Sequence, residues 1–151
     1  MEQVAIIKAA HDWMVLSCEA DLSQAVARGD MDTAKRLEGT RQIFDRAVFV
    51  VLFGRFEMAV TETFEQARNA RSANPHWRSR RGWDVPAYRV RRIPFETKLA
   101  LVMDRQTEAH HRIMRAYALR NHCAHGGSTK ALIPIEEFVA DLYAWRALLR
   151  R

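Results

Sequence analysis

The chain has 151 residues, enough for one domain with a substantial core, because folding at this size buries roughly 70% of the surface that the unfolded chain exposes. Apolar residues make up 48% and charged residues 28%, which is ordinary for a globular protein and excludes the fibrous and disordered classes. The formal net charge of +6 makes the protein basic.

The excess positive charge is concentrated in one segment. Residues 71 to 92 contain seven arginines and one acid, Asp84, so this segment carries +7 − 1 = +6 and the rest of the chain sums to zero. A neutral body with one arginine-rich segment indicates local contact with a polyanion rather than charge spread for solubility.

The sequence has the features of a reduced, cytoplasmic protein. Its two cysteines, Cys18 and Cys123, lie in apolar helical stretches without CxxC spacing, which predicts thiols rather than a disulfide framework. The longest apolar run, residues 47 to 53, is far shorter than the ~20 residues of a spanning helix, and the N-terminus lacks a basic leader. We therefore expect a cytoplasmic location and no membrane association.

The N-terminal part predicts two helices. Apolar residues at helical spacing predict a first helix over residues 4–28, ended by Gly29. Asp30 is suited to cap a short helix over residues 30–38. The Gly-Thr pair at 39–40 predicts a break or kink before the next helix.

A longer helix is predicted over residues 41–69. Its stripe includes Ile43, Val50 and Phe64, and residues 47–53 are apolar on every side. A helix that is apolar all round must be covered all round, either by its own bundle or by a second subunit.

Residues 70–94 break the helical pattern. Prolines at 75, 86 and 94 and a glycine at 82 interrupt any period. Structureless segments of this length are uncommon in compact domains and are usually functional or disordered. The segment 71–94 is therefore predicted to be a long basic loop inserted between the second and third main helices.

The C-terminal part predicts two more helices. One covers residues 95–125, and Pro134 is placed to start the last one, with Glu136 and Glu137 in its first turn. No strand pattern is convincing. Four main helices, as two helical hairpins, predict an all-α bundle that forms a single domain over residues 1–151.

An arginine, an amide and an imidazole are grouped at the end of the third main helix, in Arg120-Asn121-His122-Cys123-Ala124-His125-Gly126. On an ideal helix Asn121 and His125 share a face, and Tyr117 falls in the same arc. Arg120, Asn121 and His125 are therefore expected to rim one cleft. A guanidinium binds phosphate and stabilises its transition state, and an imidazole transfers protons near neutral pH. This combination suits cleavage of an RNA phosphodiester by the 2′-hydroxyl of the RNA.

One histidine supplies only one proton carrier to that reaction. In-line attack by the 2′-oxygen needs a base on one side and an acid on the other. A twofold dimer would bring a second His125 to the same phosphate, and the apolar stretch at 47–53 is an independent reason to expect such a dimer.

The group resembles the Arg-x4-His motif of the HEPN superfamily of helical ribonucleases, which has a polar residue after the arginine and ends in Ala-His-Gly. A weaker resemblance covers Phe53-Gly54-Arg55-Phe56-Glu57, which is similar to an aromatic and glutamate cluster in some bacterial members. The resemblance implies a four-helix homodimer with metal-independent endoribonuclease activity and no cofactor. It also implies a toxin or phage-defence role, with a nucleotidyltransferase-like or other antitoxin as partner. The resemblance therefore implies that Arg120 and His125 are catalytic and that Asn121 assists them.

Structural alternatives stay open for the same residues. Arg120 could be a structural arginine paired with a buried acid such as Glu57, and Glu57 could equally orient its guanidinium. His125 could simply complement the dipole of the helix, and Asn121 could cap backbone groups. We assign Glu57 and Tyr117 as supporting residues of the site.

Metal binding is the alternative to the metal-independent chemistry described above. Glu108 and His111 match the Glu-x-x-His spacing of carboxylate-bridged helical bundles. That arrangement needs a second copy on another helix, and the sequence has none. We therefore expect no metal ligands.

The basic insert combines arginines with aromatic residues. Aromatic rings can stack on unpaired bases while arginines hold phosphates. The alternatives are a disordered loop, packing of the aromatics on the bundle, or an acidic partner. The candidate RNA-binding residues are Trp77, Arg78, Arg80, Arg81, Trp83, Arg89, Arg91 and Arg92.

Three functional hypotheses follow from these residues. The leading one is a dimeric endoribonuclease in which each subunit contributes Arg120 and His125. The alternative is a non-catalytic helical module that binds RNA, nucleotide or a partner protein through the same cleft. The third is an antitoxin-like interaction protein with a basic loop.

Overall fold

The structure, a computed structural model, describes residues 2–84, 87–126 and 133–149, with only the backbone described at residues 87 and 88. Every regular element in these ranges is a helix, so the prediction of an all-α protein is confirmed. No helix in the same ranges has the length and apolar character needed to cross a membrane.

Six α-helices follow one another in these ranges, with a 3₁₀-helix at Ala87–Arg92 between the third and the fourth. They are α1 (Glu2–Ala27), α2 (Met31–Ser72), α3 (Trp77–Arg80), α4 (Phe95–Val102), α5 (Glu108–Ala124) and α6 (Ile135–Leu148).

The turn between α1 and α2 follows the prediction. Gly29 has a φ of 72°, a left-handed conformation that favours glycine at a helix end. The Asp30 carboxylate accepts a hydrogen bond from the backbone N–H of Thr33 at 3.0 Å. That bond favours the ionised form and lowers the pKa of Asp30. A capping aspartate after the glycine therefore starts α2.

The break predicted at residues 39–40 is wrong, because α2 is one helix of 42 residues. Thr40 Oγ1 donates to the carbonyl of Arg36 at 3.0 Å, so its hydroxyl is satisfied inside the helix instead of capping a new one. A glycine inside a helix costs about 1 kcal/mol, which is small beside the burial of the large apolar side chains farther along α2.

The single helix predicted over residues 95–125 is divided into α4 and α5. Between them the Asp104 carboxylate accepts from the backbone N–H of Gln106 at 2.9 Å. Thr107 Oγ1 then accepts from the backbone N–H of His110 at 3.2 Å and caps α5. Hydrogen bonds from side chains to nearby backbone N–H groups give the backbone an alternative to helical hydrogen bonds, so the helix is interrupted here.

Helical turns occupy part of the predicted insert. α2 continues to Ser72, and the short α3 and the 3₁₀-helix follow. The description of residues 71–94 as one structureless loop is therefore corrected. Pro86 lies outside the described residues.

Contacts divide the chain into two compact units. The first comprises Met1–Phe53 and Ala118–Asp141. At its centre the ring of Phe138 on α6 lies 4.5 Å from that of Phe49 and 6.3 Å from that of Phe53. The aromatic side chains of α2 and α6 thus form the core of this unit.

The second unit comprises Gly54–Tyr117 and Leu142–Arg151. Its core includes Phe56 on α2, whose ring centroid lies 5.7 Å from that of Trp145 on α6. Leu99 on α4 and Ile113 on α5 are fully buried in the same unit.

Candidate functional site

The Arg120 to Gly126 motif ends α5 and belongs to the first unit. The helix stops at Ala124, and the backbone N–H of Gly126 donates to the carbonyl of Cys123 at 3.2 Å. Gly126 has a φ of 78°, which glycine adopts without steric cost. A glycine therefore ends the helix at the predicted place. Gly127 lies outside the described residues.

His125 stands one residue beyond the end of α5 and is exposed. Its backbone N–H still donates to the carbonyl of Asn121 at 3.1 Å, which keeps His125 in helical register. The position is therefore fixed by the helix while the imidazole remains accessible to a ligand and to protons from water.

Arg120 and Asn121 are joined by their side chains. The Arg120 Nη1 donates to the Asn121 Oδ1 at 3.0 Å, and both residues are half-buried. A neutral amide orients the guanidinium without neutralising its charge. Together with His125, these two residues place an oriented cation and an accessible imidazole in one short segment.

A groove of about 460 Å³ adjoins the motif within the first unit. It is lined by Ile43, Arg46, Ala47, Val50 and Val51 of α2 and by Cys123, Ala124 and Gly126 at the end of α5. Its wall on α2 is apolar except for one half-buried arginine, Arg46.

Arg46 is absent from the predicted site residues. In the sequence, Arg46 directly precedes the apolar run at residues 47–53. It also stands four residues before Val50, the spacing that places two side chains next to each other on a helix. Only the pairing of α2 with the end of α5 makes this arginine a neighbour of the motif.

The apolar stretch of α2 is covered on one side. Phe49, Leu52 and Phe53 are buried, whereas Ile43 is 66% exposed and Val51 is 49% exposed. The exposed side forms the wall of the groove beside the motif. An apolar surface therefore borders the candidate site.

Tyr117 and Glu57 belong to the second unit. The Tyr117 ring packs on Phe95 with centroids 4.7 Å apart. Glu57 is half-buried and lines a shallow groove of about 290 Å³ on α2 together with Thr61 and Glu62. Their supporting roles stay predictions.

The two tryptophans of the insert have different surroundings. Trp77 is 58% exposed, with the guanidinium carbon of Arg80 5.9 Å from its ring centroid. Trp83 is 9% exposed and packs on Phe64, with the guanidinium carbon of Arg71 4.5 Å from its ring. Trp83 thus matches the alternative of an aromatic packed on the core, and Trp77 presents an accessible ring.

Most of the candidate arginines of the insert point to solvent. Arg80 is half-buried, and the exposed ones are Arg78, Arg81, Arg89, Arg91 and Arg92. Exposed guanidinium groups this close in sequence make the second unit locally positive.

The Glu108-x-x-His111 spacing does not assemble a ligand set. The Glu108 carboxylate accepts from Arg115 Nη2 at 2.7 Å, and this bond holds the pKa of Glu108 below its usual value. Within the described ranges, no three His, Cys, Asp or Glu side chains lie close enough to hold a metal ion.

No protein-family model matches the chain, and neither a curated protein nor a solved structure is significantly similar to it. The resemblance to the HEPN superfamily therefore rests on the residues of the motif.

Proposed function

We propose that the protein is a HEPN-like, metal-independent endoribonuclease of toxin or phage-defence type that acts as a homodimer. The observation that carries the proposal is the arrangement at the end of α5. There Asn121 orients Arg120, and His125 is exposed beside a groove with an apolar wall. These are the groups that cleavage of an RNA phosphodiester needs from a protein.

The reaction uses the RNA as its own nucleophile. His125 of one subunit takes the proton of the ribose 2′-hydroxyl as the 2′-oxygen attacks the adjacent phosphorus. A second His125 protonates the leaving 5′-oxygen, so the products are a 2′,3′-cyclic phosphate and a 5′-hydroxyl. Arg120 stabilises the charge that develops on the phosphoryl oxygens.

Arg46 adds a second cation to this proposal. It lines the same groove as Cys123, Ala124 and Gly126 of the motif, so we assign to it the binding of a substrate phosphate near the one that is cleaved. Arg46 would then contribute to RNA affinity more than to the chemical step.

The homodimer is supported by the open side of α2. Ile43 and Val51 expose apolar surface at the groove beside the motif, where a second copy would cover it. The same proposal includes the finer architecture, in which α1, α2, α5 and α6 form a four-helix bundle of two hairpins. A cognate antitoxin is the further partner that this function implies.

The insert is proposed to hold the RNA. Five exposed arginines and the accessible ring of Trp77 can contact phosphates and an unpaired base. Trp83 would stabilise the fold of the insert rather than contact the RNA, because its ring packs on Phe64.

The proposal is tested by cleavage of single-stranded and structured RNA with excess chelator present. We expect Arg120→Ala and His125→Ala each to lose at least about a hundredfold in rate, since each removes a charge or a proton carrier used in the transition state. The matched controls are Arg115→Ala and His122→Ala, which change the same residue types at exposed positions on α5.

Cleavage retained by both site variants would contradict the site, and cleavage abolished by chelator would contradict the mechanism. The wild-type protein could bind RNA without cleaving it, both in the presence of a cognate antitoxin and after that antitoxin has been removed. That result would favour the alternative of a non-catalytic binding module.

A further inference from the structure

The groove beside the motif is open because its middle is lined by small residues. On α2, Ala47 stands one helical turn from a larger apolar residue on each side, Ile43 and Val51. The end of α5 contributes Ala124 and Gly126 to the same groove. A Cβ atom added at Gly126 would meet no other atom within 4 Å. Space for a ligand therefore lies between the two helices.

The size of the groove matches one nucleotide rather than a duplex. Ligand pockets in proteins occupy about 300–1,000 Å³, and this groove measures about 460 Å³. Ile43 and Val51 stand eight residues apart, which is about 12 Å along the helix axis, and their side chains narrow that distance. A paired base lies inside its duplex, whereas an unpaired base can leave the stack and enter a groove of this width.

The lining of the groove complements both parts of a nucleotide. Ala47, Val50 and Cys123 present apolar or weakly polar atoms, against which the face of a base can pack. Among the described residues that line the groove, Arg46 alone is charged. A guanidinium binds phosphate in a fixed, two-pronged geometry. A nucleotide brings an apolar ring and an anion together, whereas an apolar side chain of a protein partner brings only the first.

The groove shares part of its lining with the motif. Ala124 and Gly126 stand directly before and after His125 in the chain. A nucleotide in the groove is therefore a neighbour of the imidazole to which the proposed function assigns proton transfer. Binding of its base would fix the position of the adjacent phosphate, and orientation of this kind lowers the barrier of the chemical step.

We propose that this groove binds one unpaired nucleotide of the RNA, next to the phosphate that is cleaved, and so selects single-stranded over paired RNA. The base packs between Ala47 and Ala124, and a phosphate of the same strand contacts Arg46. The inference rests on the proposed function, because it names the substrate class of the same site. Ile43 and Val51, at the two ends of the groove, remain available to the second copy of the proposed homodimer.

The test measures binding, so it does not depend on the chemical step. The probes are two labelled 2′-O-methyl RNA strands, which lack the attacking hydroxyl, and one of them is also abasic throughout. In anisotropy titrations of the full chain, Ala47→Leu and Ala124→Leu should each weaken binding of the strand with bases at least about fivefold, because leucine fills the groove. Both variants should bind the abasic strand as the wild-type protein does, since its phosphates are unchanged.

Three further variants serve as controls. Ala47→Ser keeps the side chain small and should bind both strands normally. Ala118→Leu makes the same change at an exposed position of α5 outside the groove and should also bind normally. Arg46→Gln should weaken binding of both strands, because it removes a contact to phosphate that does not involve a base.

Three results would overturn the inference. The first is wild-type affinity of Ala47→Leu and Ala124→Leu for the strand with bases. The second is an equal loss of affinity for the two strands, which would mean that the groove contacts phosphates only. The third is loss of the dimer in Ala47→Leu with RNA binding unchanged, which would identify a second copy as the occupant. Absence of cleavage by a wild-type protein that gives the expected binding results would contradict the proposed function alone.

Discussion

His110 is a buried histidine in surroundings that disfavour its charged form. The residue is 8% exposed, and neither ring nitrogen has a hydrogen-bond partner within the described ranges. Burial lowers the pKa of His110 below its ordinary value of 6.5, and the nearby charges of His111 and Arg105 lower it further, against the opposing effect of Asp104. Protonation of His110 is therefore less favourable in the folded chain than in the unfolded chain.

This lowered pKa makes stability depend on pH. The unfolded chain binds a proton at His110 before the folded chain does, so the free energy of unfolding should fall as pH drops below about 6.5. The free energy of unfolding, measured by urea unfolding, should therefore be lower at pH 5.5 than at pH 6.5, and His110→Phe should remove this difference. The carboxylates with lowered pKa values, such as Asp30, lose their contribution only below about pH 4.

The exposed neighbour His111 provides the matched control. His111→Phe changes the adjacent, exposed histidine and keeps His110, so it should leave the pH dependence of stability in place. A slope that persists in His110→Phe and disappears in His111→Phe would show that a different histidine is responsible.

At the scale of elements, the insert is a set of short helical turns that present arginines to solvent. If those arginines hold RNA phosphates, binding must weaken as salt rises, because each neutralised phosphate of a single strand releases about 0.7 of a counterion. The double variant Arg78→Gln/Arg81→Gln should lower the slope of log affinity against log salt by about 1.4.

The measurement uses single-stranded RNA and a His125→Ala background, because the proposed mechanism predicts that this variant does not cleave the RNA during the titration. Lys35→Gln/Arg36→Gln removes the same charge at exposed positions on α2 and should leave the slope unchanged to within about 0.3. An equal decrease of the salt slope in the two double variants would mean that RNA binding depends on the net charge of the protein and not on the arginines of the insert.

At the scale of the whole molecule, the exposed apolar side of α2 at Ile43 and Val51 is the surface at which the proposed homodimer would form. Val51 is 49% exposed in the groove beside the motif, and a carboxylate there would lose its hydration if a second copy covered it. If the proposed site is shared between two subunits, Val51→Asp should be a monomer by analytical ultracentrifugation and lose at least about tenfold in RNA cleavage, since the proposed reaction uses two histidines.

Val26→Asp is the control for that change. Val26 on α1 is 53% exposed and lies outside the groove, so its variant should keep the oligomeric state and the activity of the wild-type protein. A wild-type chain that is monomeric at every concentration, or a Val51→Asp variant that cleaves normally, would contradict the shared site.

The sequence by itself determined the helical class, the turn at Gly29 and the end of α5 at the motif. Each follows from local chemistry: apolar spacing of 3.6 residues, a side chain that caps, or a glycine that adopts positive φ. The positions of Arg120, Asn121 and His125 along one helix end were predictable for the same reason.

Tertiary structure decided the features that depend on burial. Packing carries α2 through residues 39–40 because its apolar contacts outweigh the local cost of a glycine. Packing also buries Trp83 while leaving Trp77 open, although both are tryptophans of one basic segment. It also brings Arg46 beside the motif. Periodicity identifies apolar faces, but only the positions of neighbouring helices determine which of those faces are covered.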